Sequence, residues 1–174
     1  NGYELRRECI DYIEKNKKKI NIKDDINLFT KKFDVITAFH VLEHVPFQVK
    51  TLKDIRSKLK KNGKIIIEVP HAEDFLILQK ELQDFKHFTF WSEHLILHTE
   101  KSLKTVLRKA GFKNIKINFF QRFNLNNHLG WFLKKKPGGH EFFKNIANTK
   151  LNKEYCKNLI NLKKTDTLIA TATK

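Results

Sequence analysis

The feature that most constrains this chain is residues 33–44, F-D-V-I-T-A-F-H-V-L-E-H. Residues 35–39 form a short apolar run rich in β-branched side chains, which predicts a fully buried strand. The run ends at His40, and a mixed polar segment follows at once. A second run of the same kind, K-I-I-I-E-V at 64–69, follows Asn62-Gly63 and leads into Pro70-His71. Between them, residues 49–60 carry helical spacing, with Leu52, Ile55 and Leu59 on one face. The pattern is strand, helix, strand, so the two strands are expected to be parallel, adjacent and buried on both faces. Polar groups at the ends of such strands lie at the carboxyl edge of the sheet, where open α/β sheets bind ligands.

The 174 residues suit one domain, and 40% hydrophobic residues, with 15 Phe, are enough to fill its core. No apolar run approaches the roughly 18 residues needed to span a bilayer. The charged start, N-G-Y-E-L-R-R-E, is unlike a secretory leader. Cys9 and Cys156 stand far apart and suit two isolated thiols in a cytoplasmic protein. The formal net charge of +16 is compatible with a polyanionic partner. Its lysines are nevertheless spread along the chain, densest at 17–19, 58–61 and 134–136, with no Arg-rich stripe interleaved with aromatics. A solvated basic surface is the preferred reading of such a spread, with a polyanion site as the alternative.

In chain order, residues 6–15 read as a helix and 19–22 as a short strand. After His71, residues 72–85 carry helical spacing, and the aromatic, His-rich segment 87–98 reads as a loop with strand-like pieces. Thr99 or Ser102 is the N-cap of a helix over 100–110 that Gly111 ends. Alternation around Ile115, Ile117 and Phe119 predicts a half-buried strand at 112–120. Residues 121–165 break the rhythm with an aromatic segment, a basic turn K-K-K-P-G-G-H and a helix near 152–162. A β-branched strand at 167–173 closes the chain.

Three segments, F-D-V-I-T-A-F-H-V-L-E-H, L-K-K-N-G-K-I-I-I-E-V-P-H and S-L-K-T-V-L-R-K-A-G-F, together resemble the class I S-adenosylmethionine-dependent methyltransferases in content, order and spacing. They match that family's fourth strand, its fifth strand and the helix before its sixth. The resemblance implies a Rossmann-like α/β fold: a mostly parallel sheet with helices on both faces and an antiparallel last strand. The family's first strand and its G-x-G-x-G loop find no counterpart in this sequence, and the register that fits makes Glu4 the acidic residue at the tip of the second strand. The expected division is a partial methyltransferase domain, 1–120 with 166–174, and an inserted helical, aromatic segment on the substrate side, 121–165. That insertion resembles one in a bacterial subgroup associated with sugar and surface-polysaccharide modification.

The resemblance implies S-adenosyl-L-methionine as cofactor. It would be bound by Glu4 at the ribose hydroxyls, by Asp24 or Asp25 (with Asp25 preferred) and Ile26 near the adenine, and by Phe39 and His40 at the end of the fourth strand. An ionised carboxylate accepts two hydroxyl donors at once, which suits the first role. His44 and His71 are the candidate catalytic groups, since imidazole titrates near neutral pH. His94, Asn127, His128 and His140 are the candidate acceptor-binding groups. Each has an ordinary alternative: a turn carboxylate, a core side chain, a loop brace or a surface histidine. His94 and His98 flank no third ligand at metal spacing, so no metal is expected. The acceptor is expected to be a small molecule, a sugar or sugar nucleotide. RNA is the alternative that the charge favours, and a fragment unable to hold cofactor alone is the third.

Overall fold

The computed structural model describes residues 1–174 except Leu5, Lys18 and Ala147. Lys18, in the basic run at 17–19, therefore lies outside the described residues. The elements run β1 (Gly2–Tyr3), α1 (Arg7–Asn16), β2 (Ile22–Lys23), β3 (Phe33–Phe39), α2 (Gln48–Lys58), β4 (Leu59–Pro70), α3 (Gln83–Thr89), α4 (Glu100–Lys109), β5 (Lys113–Phe120), α5 (Leu125–Lys134), α6 (Gly139–Phe142), α7 (Thr149–Leu162) and β6 (Thr167–Thr173). Among the described residues there are two sheets. One is the parallel pair β1-β2, and the other is four-stranded in the order β3-β4-β6-β5. This is the expected α/β, Rossmann-like arrangement, with the last strand antiparallel to both its neighbours.

β3 and β4 pair in parallel, with Ile36 opposite Ile65 and Phe39 opposite Glu68. Ile65, Ile67 and Val69 point to one face and are fully buried, as are Leu168 and Ala170 of β6. Leu52 and Ile55 of α2 and Leu103 and Leu107 of α4 belong to the same core cluster. The period of two in β4 and the helical spacing in α2 and α4 thus meet across one layer. Thr99 and Ser102, alternative caps in the sequence, act together: Thr99 Oγ1 accepts from Ser102 N–H while Ser102 Oγ accepts from Thr99 N–H.

Several expectations need correction. β3 is not buried on both faces: Val35 is 49% and Phe39 53% exposed. It stands at the end of its sheet's order, with no strand on its outer edge among the described residues. Residues 72–85 do not form one helix; they make turns until α3 begins at Gln83. β4 begins five residues earlier than the apolar run, through an irregular stretch between the Phe33–Leu59 and Val35–Lys64 pairs. The aromatic segment after Gln121 is a helix, α5, capped by Asn124, whose side chain accepts from Asn127 N–H.

α5 buries Trp131 against Leu76, Leu82 and Phe85 in a second, smaller core. Gly130 of α5 and Gly139 of α6 bring these two helices together. A Cβ on Gly139 would lie 2.2 Å from Asn126 O and 2.9 Å from Asn127 Cα, and one on Gly130 would lie 2.6 Å from Gly139 Cα. Backbone, unlike a flexible side chain, has little room to yield. Gly139→Ala is expected to destabilise the protein by about 1–3 kcal/mol, the range for forced overpacking. Thermal unfolding followed by circular dichroism checks this, against an unchanged Tm as the contrary result.

Candidate functional site

β3, β4 and β5 all run in the same direction, so their carboxyl ends share one edge with the start of β6. The residues just past those ends are polar. His40 leaves β3 in the left-handed conformation, φ 51°, a bend that turns its ring back over the edge. Its Nδ1 lies 3.2 Å from Glu43 Oε1 and its Nε2 3.2 Å from Glu68 Oε1. Arg122, just past β5, donates from its guanidinium to the same Glu68 oxygen. Asp166, before β6, accepts from the backbone N–H groups of Arg122 and Phe123 and from the Gln121 side chain. Burial raises the Asp166 carboxyl pKa, against the lowering effect of its hydrogen bonds to Thr167 and to the 122–123 backbone.

Sequence reasoning passed over Glu68, Arg122 and Asp166 as site residues. One signal was available, since Glu68 is the single charged side chain inside the run I-I-I-E-V. Arg122 sits 54 residues from Glu68, and Asp166 43 to 45 residues from its donors in 121–123, and no local pattern joins them.

The 3-10 turn Leu42–His44 follows His40. Glu43 has no exposure to solvent, and its Oε2 has no hydrogen-bond partner among the described residues. His44 is one-third exposed, and its Nδ1 lies 2.7 Å from Glu93 O. His94 approaches from the other side, its Nδ1 2.7 Å from Thr89 O and its ring centroid 5.0 Å from that of His44. The structure thus joins His94 to Glu43 and His44, whereas His98, bridged to His71 and buried, feels the Glu43 charge without joining that cluster.

His71 is enclosed rather than open at the edge. It is 1% exposed, and its Nδ1 is 2.9 Å from Thr165 O. Burial lowers its pKa. Its position at the end of β4 points it into the packing between β4 and the start of β6, where it braces the chain.

At the other sheet, Glu4 N–H donates to Lys23 O, which sets Glu4 beside Asp24 at the carboxyl ends of β1 and β2. Burial and then the charges of Asp25, Asp24 and Glu4 raise the Tyr3 pKa, so the three carboxylates lie close enough for their charge to act on its hydroxyl. Glu4 Oε1 accepts from Arg6 N–H, and Asp25 Oδ1 accepts from Asn27 N–H to cap the turn Ile26–Leu28. Ile26 packs on the main core cluster.

The insertion's polar side chains turn inward. Asn126 donates to Phe143 O, and Asn127 is buried. His128 is 1% exposed, 2.6 Å from Tyr155 Oη through Nδ1, and its ring stacks on Phe75 at an interplanar angle of 3°. Only His140 of the four predicted acceptor groups is well exposed, 3.9 Å from Glu141. The aromatic composition of 121–165 helps to dock it, with Trp131 in the smaller core. Asp74, also buried, has its carboxyl pushed up to about 7 by desolvation, and Tyr155 is raised by the same cause.

Three comparisons bear on this edge. A family described as a methyltransferase domain matches residues 1–117. The chain is 28% identical over 121 residues to a tRNA U34 carboxymethyltransferase of Campylobacter jejuni, covering 66% of this chain and 40% of that protein. It therefore spans about two-fifths of the length of the curated relatives it matches. Among solved structures, an S-adenosylmethionine-dependent methyltransferase of Archaeoglobus fulgidus superposes with TM-score 0.62 at 19% identity, over 99% of this chain and 75% of that one. Phosphoethanolamine N-methyltransferase 2 of Haemonchus contortus, bound to S-adenosyl-L-methionine, superposes with TM-score 0.56 at 15% identity, over 99% and 42%.

Burial pushes the His128 pKa down from 6.5 to about 4, so the folded protein holds this ring neutral where the unfolded chain protonates it. Below pH 6.5 the unfolded state binds the extra proton, and the stability present above that pH is lost as pH falls toward 4. The shift corresponds to at most about 3 kcal/mol. Urea unfolding at pH 7 and at pH 5 should show this loss, and His128→Gln should flatten it. An equal pH slope in the variant would be the contrary result.

Proposed function

Because the chain belongs to the methyltransferase-domain family, we propose that it carries a methyl group from S-adenosylmethionine to RNA, at the carboxyl ends of its strands. The observation that carries methyl transfer is the convergence of acceptor-only groups at the ends of β1 and β2 in a chain whose first 117 residues match that family. The family's cofactor is S-adenosylmethionine, and the donor set at this end of the chain fits it. Glu4 supplies a carboxylate for the two ribose hydroxyls. Asp25, with Asp24 beside it, supplies acceptors for the adenine amino group. The exposed ring of Phe39 and the side chain of Ile26 offer apolar contact, and His40 closes the end of β3.

When bound, the cofactor supplies an electrophilic methyl on a sulfonium, a centre that loses its positive charge during transfer. The protein's task is alignment and handling of the acceptor's proton. His44, one-third exposed, is accessible at this edge, whereas His71 is enclosed. Arg122 and Glu68 hold each other at the neighbouring strand ends, which fixes the edge without leaving a bare charge there.

Two observations favour RNA as the acceptor. The net charge is +16, and the curated relatives of similar sequence are named for action on tRNA. A sugar or sugar nucleotide of surface-polysaccharide biosynthesis is the rival. Its local support was the polar set in 121–165, of which Asn126, Asn127 and His128 are engaged or buried within the protein.

Calorimetric titration with S-adenosylhomocysteine should show saturable binding. Glu4→Ala should weaken it by about 1–3 kcal/mol, the worth of hydrogen bonds to a charged acceptor. Absence of binding by the unmodified chain would mean that this length does not hold cofactor by itself, and unchanged affinity in the variant would remove Glu4 from the site.

RNA binding measured by fluorescence anisotropy should weaken steeply between about 50 and 200 mM salt, as counterion release requires. Transfer of label to a sugar nucleotide, with no salt-dependent RNA binding, would decide for the rival.

A further inference from the structure

We propose that Glu43, His44 and His94 form a binding site for a first-row divalent cation. One ligand atom from each lies within 4.8 Å of the other two. The segment that carries His94 is held against Glu43 and His44 by three hydrogen bonds. Leu95 N–H and Ile96 N–H both donate to Glu43 O, at 2.9 and 3.3 Å, and the His44 ring bonds Glu93 O. Residues some fifty positions apart are thus fixed face to face by backbone rather than by chance contact of surface side chains.

The protonation of the two rings follows from their partners. A carbonyl oxygen only accepts, so the Nδ1 of His44 bound to Glu93 O and the Nδ1 of His94 bound to Thr89 O each carry the proton. In the neutral rings Nε2 is then a bare lone pair. A ring nitrogen fixed by a backbone carbonyl, with the other free to ligate, is how proteins orient metal-binding histidines. The third donor, Glu43, is a carboxylate with no solvent exposure, whose Oε2 has no hydrogen-bond partner among the described residues. A buried carboxylate oxygen without a partner is costly. His44 Nε2 lies 3.8 Å from the other oxygen, Oε1, which His40 Nδ1 also faces, with no proton on the neutral His44 ring to bridge them. Lone pairs facing one another across such a gap call for a cation.

Two imidazoles and one carboxylate suit zinc, manganese or iron(II) rather than calcium or magnesium, which prefer all-oxygen shells. Ligands at about 2.1 Å around one ion stand about 3–3.5 Å apart, so the cluster closes with side-chain shifts of about an ångström. Three protein ligands leave positions open for water or an oxygen of a bound molecule. The exposed part of His44 provides entry. His40 is the brace, since both its ring nitrogens already face carboxylates, one of them Glu43.

The test uses the chain stripped with a chelator and titrated with Zn²⁺ and with Co²⁺ by calorimetry, without cofactor or acceptor, so its failure leaves the methyl-transfer reading standing. One equivalent should bind. Trp91, whose ring lies 5.5 Å from that of His94 and 6.5 Å from that of His44, should be quenched by Co²⁺, and Trp91→Phe should abolish that quenching. His44→Ala and His94→Ala should each weaken binding about tenfold or more, whereas His87→Ala, an exposed histidine of α3, should not. Circular dichroism verifies folding, and His44→Gln and His94→Asn serve if the alanine variants fail to fold. No saturable binding, which would leave only a proton between these groups, overturns the proposal. So does binding unchanged in the folded His44 and His94 variants.

Discussion

Strand β4 is hydrogen-bonded along both edges, in parallel to β3 and antiparallel to β6, and the rest of the molecule depends on that double ladder. Its alternate side chains Ile65, Ile67 and Val69 are fully buried and define the face on which α2 and α4 pack. Removing apolar area from water at about 25 cal/mol per Å² makes this layer the main stabilising term. The ladder's direction then delivers the ends of β3, β4 and β5 to one edge. Position along these strands therefore decides which side chains meet, and the apolar interior needs no chemistry of its own.

At that edge the controlling fact is the cost of enclosed charge. Glu43 and Asp166 are both enclosed or nearly so, and each draws donors to itself from distant parts of the chain. Asp166 gathers the 121–123 turn, which ties the start of the 121–165 segment to its end. Glu43 gathers His40 through its side chain and the 95–96 backbone through its carbonyl. The carboxylates thus act as fasteners, in keeping with the rule that buried charges must be paired. Glu43 departs from that rule at one oxygen.

The segment 121–165 shows how one composition can answer two demands. Its asparagines, histidines and aromatics are what a polyhydroxylated ligand would ask for, and they are also what a small core with a polar lining asks for. Trp131 and Phe85 meet edge to face with centroids 5.0 Å apart, and His128 lies between Phe75 and Tyr155. The two glycines have room only for backbone.

By itself the sequence determined the periodic elements and their order. The runs at 35–39, 64–69 and 167–173 and the helices at 49–60 and 100–110 are legible because side-chain period follows backbone geometry locally. Their succession identified the fold, and the polar residues at the strand ends marked the edge where the proposed site lies. Tertiary structure alone decided three things. It exposed β3, because burial of a strand depends on its neighbours and not on its own residues. It enclosed His71 and His128, whose surroundings come from residues 94 and 27 positions away. And it brought His94 to Glu43 and His44, because backbone hydrogen bonds between distant segments, which leave no periodic trace in a sequence, set which lone pairs converge.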